Sequence, residues 1–373
     1  MKQLLKRFEV ENFKGFSEPL IFDLSARDYG FNKHLVNNGI VNKAIVYGKN
    51  GIGKTSLGIA VLDIISHLTD KEQFPALYVQ LYQNLNHLDK PVRFQYCFRF
   101  ANDEIEYEYE KMNRNYLLCE KLTVNGKIML NYDYFDTRNN YIAPEIQGNL
   151  QIELVDNKLS VLKYIYRNTP TNAFPPLTKM MQFCENMLWY RSLSEGNAYA
   201  GFTNGINFLE ESLYQSGKIH EFEAFLRKNG IDYTLKFESV NGQHQLMAVY
   251  QNGTITAPFM SLASTGTKTL LLFFYWSISS FSKISFLFID EFDAFFHYES
   301  AELIVQLLNE ATSFQSVLTS HNTYLMQNKL TRPDCCFLMT ENKISSLYHA
   351  TEREIREAHN LEKMYINGAF TEI

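Results

Sequence analysis

One stretch near the start of the chain constrains the fold more than any other. Ala44-Ile45-Val46-Tyr47 is a short apolar run, and Gly48-Lys49-Asn50-Gly51-Ile52-Gly53-Lys54-Thr55 follows it at once. Beyond it, Leu57, Ile59, Ala60, Leu62, Ile64 and Ile65 recur at helical spacing. The pattern predicts a buried strand, a tight turn and a helix over 55–68. The turn matches G-x-x-x-x-G-K-[ST] in full. Glycines at those positions let backbone N–H groups turn inward around an anion, and the helix adds its positive end. In that setting Lys54 is expected to reach β- and γ-phosphates and the Thr55 hydroxyl to ligate Mg²⁺. Asn50, Gly51, Gly53 and Ser56 would complete the cradle. A chance glycine turn is the competing account; the strand before it and the helix after it argue against that.

A second motif supplies what a phosphate cradle lacks. Ile284-Ser285-Phe286-Leu287-Phe288-Ile289 reads as a buried strand, and Asp290 and Glu291 end it. The first carboxylate suits the shell of Mg²⁺, which keeps waters and takes one or two carboxylates. The second suits a base that orients the attacking water. Ser316-Val317-Leu318-Thr319 is another buried strand and ends in Ser320-His321-Asn322. Strands alternating with helices indicate a mainly parallel sheet, whose ligands sit at the carboxyl ends of the strands. The polar clusters fall at such ends.

By texture the chain divides at 1–68, 69–258 and 259–373. The middle stretch carries no phosphate motif. Phe94 to Phe100 and Ile105 to Glu110 alternate at period two around Asn102-Asp103, and Leu122 to Ile128 does so around Asn125-Gly126, so hairpins are expected. Gly217 to Lys228 is helical in texture. No heptad pattern is sustained, which argues against a long coiled-coil arm. The net charge of −6 gives no general attraction to nucleic acid or to an anionic membrane. Cys97, Cys119, Cys184, Cys335 and Cys336 form no C-x-x-C pair, so neither a zinc site nor a disulfide framework is expected, and a reducing cytoplasm is the natural home. The longest apolar stretch, Leu270 to Ile278, is far short of the roughly 18 residues that span a bilayer.

Further segments carry a family resemblance. Ser261-Leu262-Ala263-Ser264-Thr265-Gly266-Thr267-Lys268 resembles the signature motif of ABC-type ATPases in the relaxed form of SMC- and RecF-type proteins. His321 resembles their switch histidine. Asp293-Ala294-Phe295-Phe296-His297 resembles the D-loop of OLD-like AAA ATPases; a packing or capping role is the alternative for His297. Val10 to Phe16 is similar to the group's first strand, and Ile355 to Lys363 to its tail. Thr265 and Thr267 depart from the small residue and acid usual in the signature. A Q-loop glutamine is not assigned among Gln80, Gln83, Gln95 and Gln147.

The resemblance implies an α/β fold: an ABC-type P-loop NTPase with a mixed or parallel central sheet, an inserted β-hairpin and helical region, and no long coiled coil. It implies ATP and Mg²⁺ as ligands, with Lys54, Glu291 and His321 in catalysis and Thr55 and Asp290 on the metal. Ser264 and Gly266 would complete the site of a second copy, in a homo-oligomer built from head-to-tail dimers. Stand-alone ATPases of this kind, without the nuclease domain of full OLD proteins, resemble the ATPase halves of two-protein anti-phage systems. The expected partner is then a separate effector protein, a nuclease being one candidate. A RecF- or SMC-type repair ATPase gripping DNA is the alternative, and the acids from Asp103 to Glu110 count mildly against it. A transporter subunit fits less well, because the middle stretch is too large.

Overall fold

The alternation seen in the middle stretch builds one face of the molecule. In the computed structural model, which describes residues 2–71, 80–152, 156–170, 172–191, 199–201 and 209–370, the strand Val92–Phe100 buries every second residue. Its partner Asp103–Asn113 turns Ile105, Tyr107 and Tyr109 the same way. A period of two sends one set of side chains to the core and the other outward. The resulting seven-stranded antiparallel sheet runs in the order Tyr141–Ile142, Lys127–Asp133, Tyr116–Val124, Asp103–Asn113, Val92–Phe100, Gln3–Glu11, Leu20–Asp23. At the Asn125-Gly126 turn both residues have positive φ, 51° and 79°, as a two-residue hairpin of that hand requires.

The second sheet is mixed. Five parallel strands lie in the order Met187–Arg191, Phe286–Asp290, Gln315–Ser320, Lys43–Tyr47, Cys336–Met339, with Tyr199–Gly201 and Ile344–Ser346 antiparallel at its edges. Four of the five parallel strands are buried along their whole length, as expected where both faces are covered. The pleat divides them between two cores. Ala44, Val46, Phe286 and Phe288 pack with the antiparallel sheet and the helices Lys54–Val61 and Asp63–Leu68. Ile45, Tyr47, Leu287 and Ile289 pack with the helices Thr265–Ser279 and Tyr298–Glu310 and with the meander Leu235–Val240, Gln243–Tyr250, Ile255–Pro258. Helix Lys54–Val61 comes so close to the sheet that a Cβ on Gly58 would lie 2.4 Å from the Phe288 ring.

The three textural stretches do not coincide with the sheets. Gln3–Glu11 pairs with Val92–Phe100, and Met187–Arg191 pairs with Phe286–Asp290. The helix expected over 55–68 is two helices, broken at Leu62 (φ −96°, ψ 4°). Immediately after the break, Asp63 accepts from Tyr82, Tyr109 and Lys111. Among the described residues the longest helix is Thr265–Ser279, and no helix is long and apolar enough to cross a membrane.

Candidate functional site

The five parallel strands deliver their carboxyl ends to one edge, and the motif residues gather there. From Tyr47 the chain turns through Gly48 to Gly53 and enters its helix at Lys54. Gly51 (φ 78°) and Gly53 (φ 107°) are left-handed, a region glycine occupies without steric cost. The loop is also wedged. A Cβ on Gly53 would meet the Phe16 ring at 2.8 Å, and one on Gly48 would meet the Met339 carbonyl oxygen at 2.9 Å. Gly53, as N-cap, has no side chain to satisfy the first N–H groups of the helix, which leaves them for an anion. Ser56 is partly buried in the first turn.

Lys54 folds back over this loop. Its Nζ donates to the carbonyls of Gly48 (2.8 Å) and Lys49 (2.9 Å) and lies 3.4 Å from His321 Nδ1. Burial lowers its pKa, against the opposing fields of Glu291, Asp290 and Asp293.

Asp290 is fully buried at the end of its strand. Its Oδ2 accepts from Thr55 Oγ1 at 2.7 Å and its Oδ1 from Thr319 Oγ1 at 2.8 Å. Burial pushes this carboxyl above its ordinary value, while the two hydroxyls and Arg191 pull it down. Glu291 follows in a left-handed conformation (φ 50°), its N–H held by Thr319 Oγ1 at 2.7 Å. Such strain in a non-glycine residue gathers at functional sites. The Glu291 carboxylate lies 3.5 Å from Arg191 Nη2 and 4.0 Å from His321 Nε2.

Asp293 Oδ2 accepts from Ser320 Oγ (2.6 Å), and Ser320 Oγ accepts from the Asn322 N–H (2.8 Å), so the loops after the two strands are tied together. Burial raises the Asp293 carboxyl as well. Between these loops opens a cleft of about 590 Å³ lined by Asn50, Gly51, Arg191, Glu291, Asp293 and His321, among others. That size is in the range of small-molecule sites.

The donor set fits a divalent cation and a polyphosphate. A hydroxyl and a carboxylate 2.7 Å apart offer two hard oxygens, the number Mg²⁺ takes from protein when substrate and water supply the rest.

Ser264 and Gly266 do not line this cleft. Ser264 caps helix Thr265–Ser279, accepting from the Thr267 N–H (3.2 Å) and paired with its hydroxyl (2.9 Å). A Cβ on Gly266 would lie 2.7 Å from the Phe295 carbonyl oxygen, so this segment packs on the loop that begins at Asp293. His297 is exposed, outside the cleft, beside Glu299. The four candidate glutamines lie away from the cleft. The Gln80 carbonyl accepts from Lys14, Gln83 donates to the carbonyls of Leu88 and Lys90, Gln95 sits in the antiparallel sheet, and Gln147 donates to Leu150.

Sequence reasoning missed Arg191 and Thr319 as site residues. Arg191 had a usable signal: Met187-Leu188-Trp189-Tyr190-Arg191 is an apolar strand ending in a charge, the same pattern as Phe286 to Asp290.

Several solved structures of low identity align with most of the chain. The SMC head domain from Thermotoga maritima is 14% identical over 93% of this chain and 99% of its own, with a TM-score of 0.44. The Smc head of Pyrococcus furiosus, bound to the C-terminal domain of ScpA, is 12% identical over 93% and 98%, at 0.46. The recombination mediator RecF bound to ATP is 12% identical over 93% and 99%, at 0.41. No curated protein matches the chain in sequence. A family pattern matches from residue 43 to residue 327, so the chain belongs to the family described as "AAA domain, putative AbiEii toxin, Type IV TA system".

Proposed function

We propose that this chain binds ATP with Mg²⁺ and hydrolyses it to ADP and phosphate. In this proposal it closes on ATP as a head-to-tail homodimer of the ABC/OLD-like type and through that cycle controls a separate effector protein in the cytoplasm, in anti-phage defence. The observation that carries the reading is the 2.7 Å contact of Thr55 Oγ1 with Asp290 Oδ2, beside Lys54 and Glu291, at one edge of the parallel sheet. Thr55 and Asp290 would hold the metal ion, which supplies charge neutralisation at the phosphates. Lys54 exchanges its two carbonyl partners for phosphate oxygens, where its positive charge acts on the leaving and transferred groups. Glu291, fixed by its strained backbone, orients a water and takes its proton. His321, between Lys54 and Glu291, is placed to hold the transferred phosphoryl group.

Two features support a second copy. Ser264 and Gly266 stand off their own cleft. Leu262, Phe295, Tyr298 and Tyr324 nearby are 46%, 38%, 47% and 60% exposed, a grouping of apolar side chains that marks a contact surface. An isologous pairing would close the assembly about one two-fold axis, and ATP would favour it by differential affinity. An ATPase whose acids are taken up at this site can act only by changing its affinity for something else. Among the described residues Cys97, Glu104 and Glu106 also lie close together, and there Glu104 is engaged by Lys6 and Arg99.

The test is complementation. Lys54→Ala and Ser264→Arg chains should each be inactive alone, and their mixture should recover partial turnover through one intact site per heterodimer. Heterodimers that form but show no recovery would contradict the arrangement.

A further inference from the structure

One hydroxyl is bonded to both acidic residues at the strand end. Thr319 is fully buried and does not line the cleft. It lies on Gln315–Ser320, the strand between Phe286–Asp290 and Lys43–Tyr47. Leu318 is in register with Ile289, and Thr319 itself with Val46. Thr319 Oγ1 donates to Asp290 Oδ1 at 2.8 Å and accepts from the Glu291 N–H at 2.7 Å. Its carbonyl accepts from the Phe292 N–H at 3.2 Å. Three consecutive residues, 290 to 292, are thus bonded to one residue of the neighbouring strand.

The direction of these bonds limits what Thr319 can do. The Glu291 N–H can only donate, so the hydroxyl accepts from it and its single proton goes to Asp290. With that proton committed and no exposed surface, the side chain cannot touch a substrate. It can set geometry. Because Thr319 takes Oδ1, the Asp290 carboxylate turns Oδ2 towards Thr55 Oγ1, 2.7 Å away, where Arg191 Nε also stands at 3.4 Å. Glu291 has a φ of 50°. A non-glycine residue keeps such a conformation only where its surroundings over-determine it. The bonds from Thr319 to the Glu291 N–H and to the next N–H supply that constraint.

We propose that Thr319 is the positioning residue for both carboxylates, holding Asp290 with Oδ2 towards Thr55 and Glu291 in the left-handed turn that carries its side chain into the cleft. It acts on the metal through Asp290 and on the water through Glu291. The inference rests on the ATPase reading and adds to it a single buried hydroxyl on which both functions depend.

The experiment compares Thr319→Val, which keeps the branched shape and removes the hydroxyl, with Thr319→Ser, which keeps the hydroxyl. Mg²⁺ alone, followed by calorimetry, should bind the valine variant about ten- to a hundredfold more weakly than wild type, as when a hydrogen-bond partner of a metal ligand is lost. With saturating Mg²⁺-ATP its kcat should fall about a hundredfold, the usual consequence of misplacing a reacting group. ATP affinity measured in EDTA should stay at the wild-type value, because Lys54 and the glycine turn are untouched. Thr319→Ser should recover most of the Mg²⁺ affinity and of kcat. Thr319→Ala carries the same expectations as valine and replaces it if the valine variant folds poorly. Wild-type Mg²⁺ affinity and kcat in the variant without the hydroxyl overturn the inference. So does a serine variant as impaired as valine, or an equal loss of metal-free ATP binding, which would mean general damage to the fold. Wild-type chain without ATP turnover would sink the ATPase reading instead, while the Mg²⁺ titration would still judge the hold of Thr319 on Asp290.

Discussion

The two helices from Lys54 to Leu68 carry a buried polar cluster at each end, and the two clusters are finished differently. At the far end, Asp63 accepts from Lys111, Tyr82 and Tyr109 at 2.7–2.9 Å. Beside it, Glu120 accepts from Tyr107 (2.6 Å), Ser160 (2.7 Å), the Val161 N–H (2.8 Å) and Tyr134, and His67 stacks on Tyr109 and bonds Tyr107. At the near end, Glu291 meets Arg191 at 3.5 Å and His321 at 4.0 Å, and Asp290 has its cation at 3.4 Å. At the far end both carboxylates are enclosed in the core; at the near end Asp290 is held by the Thr55 and Thr319 hydroxyls at 2.7 and 2.8 Å, while Glu291 and His321 line an open cleft. Fully satisfied buried networks fix a unique packing, whereas a site that must accept a ligand keeps contacts that can be exchanged, at some cost in stability. The far cluster lies buried between the antiparallel sheet and the helices, and the near one borders the cleft.

The largest expected effect that could break this contrast is at the far end. Lys111→Met removes the cation from a buried pair and leaves Asp63 charged among tyrosines, which should cost about 3–5 kcal/mol in urea unfolding. A loss under about 1 kcal/mol would mean the network is no tighter than the site.

His67 gives a smaller, pH-dependent effect. Burial holds its pKa well below the ordinary 6.5, with Lys111 and Lys163 adding to the shift. The unfolded chain therefore binds a proton that the folded chain refuses. This contribution is fully present above pH 6.5 and lost as pH falls below it, by about 1.4 kcal/mol per pH unit. The difference between the pH–stability curves of wild type and His67→Gln should show that slope below pH 6.5; parallel curves would place a charged histidine in the core.

The smallest effect belongs to the near end. Asp290 has a folded pKa above its unfolded one, so its protonated carboxyl contributes stability that is fully present below the unfolded value and is lost as pH rises through the folded value. Asp290→Asn at neutral pH should leave stability unchanged or raise it by up to about 1 kcal/mol. A loss comparable to that of Lys111→Met would show the two clusters to be alike.

What the sequence discloses follows the range of the interactions. Glycine turns and apolar runs are local, so the turn at Gly48–Thr55, the strand ends at Asp290-Glu291 and Ser320-His321, and the Asn125-Gly126 hairpin are legible from spacing. Pairings over long separations are not. Nothing near Gln3–Glu11 names Val92–Phe100 as its partner, and nothing near Arg191 points a hundred residues on to Asp290. Asp63 and His67 look like two polar positions on an amphipathic helix; only the antiparallel sheet laid over them shows that both are buried.

The central claim is that the cleft hydrolyses ATP with Glu291 acting on the water. Its most direct test is the affinity and turnover of Glu291→Gln with Mg²⁺-ATP, beside Lys54→Ala. The account predicts an ATP affinity like wild type for Glu291→Gln with turnover reduced about 10²–10⁴-fold, and weakened binding for Lys54→Ala. Wild-type turnover in Glu291→Gln would contradict it.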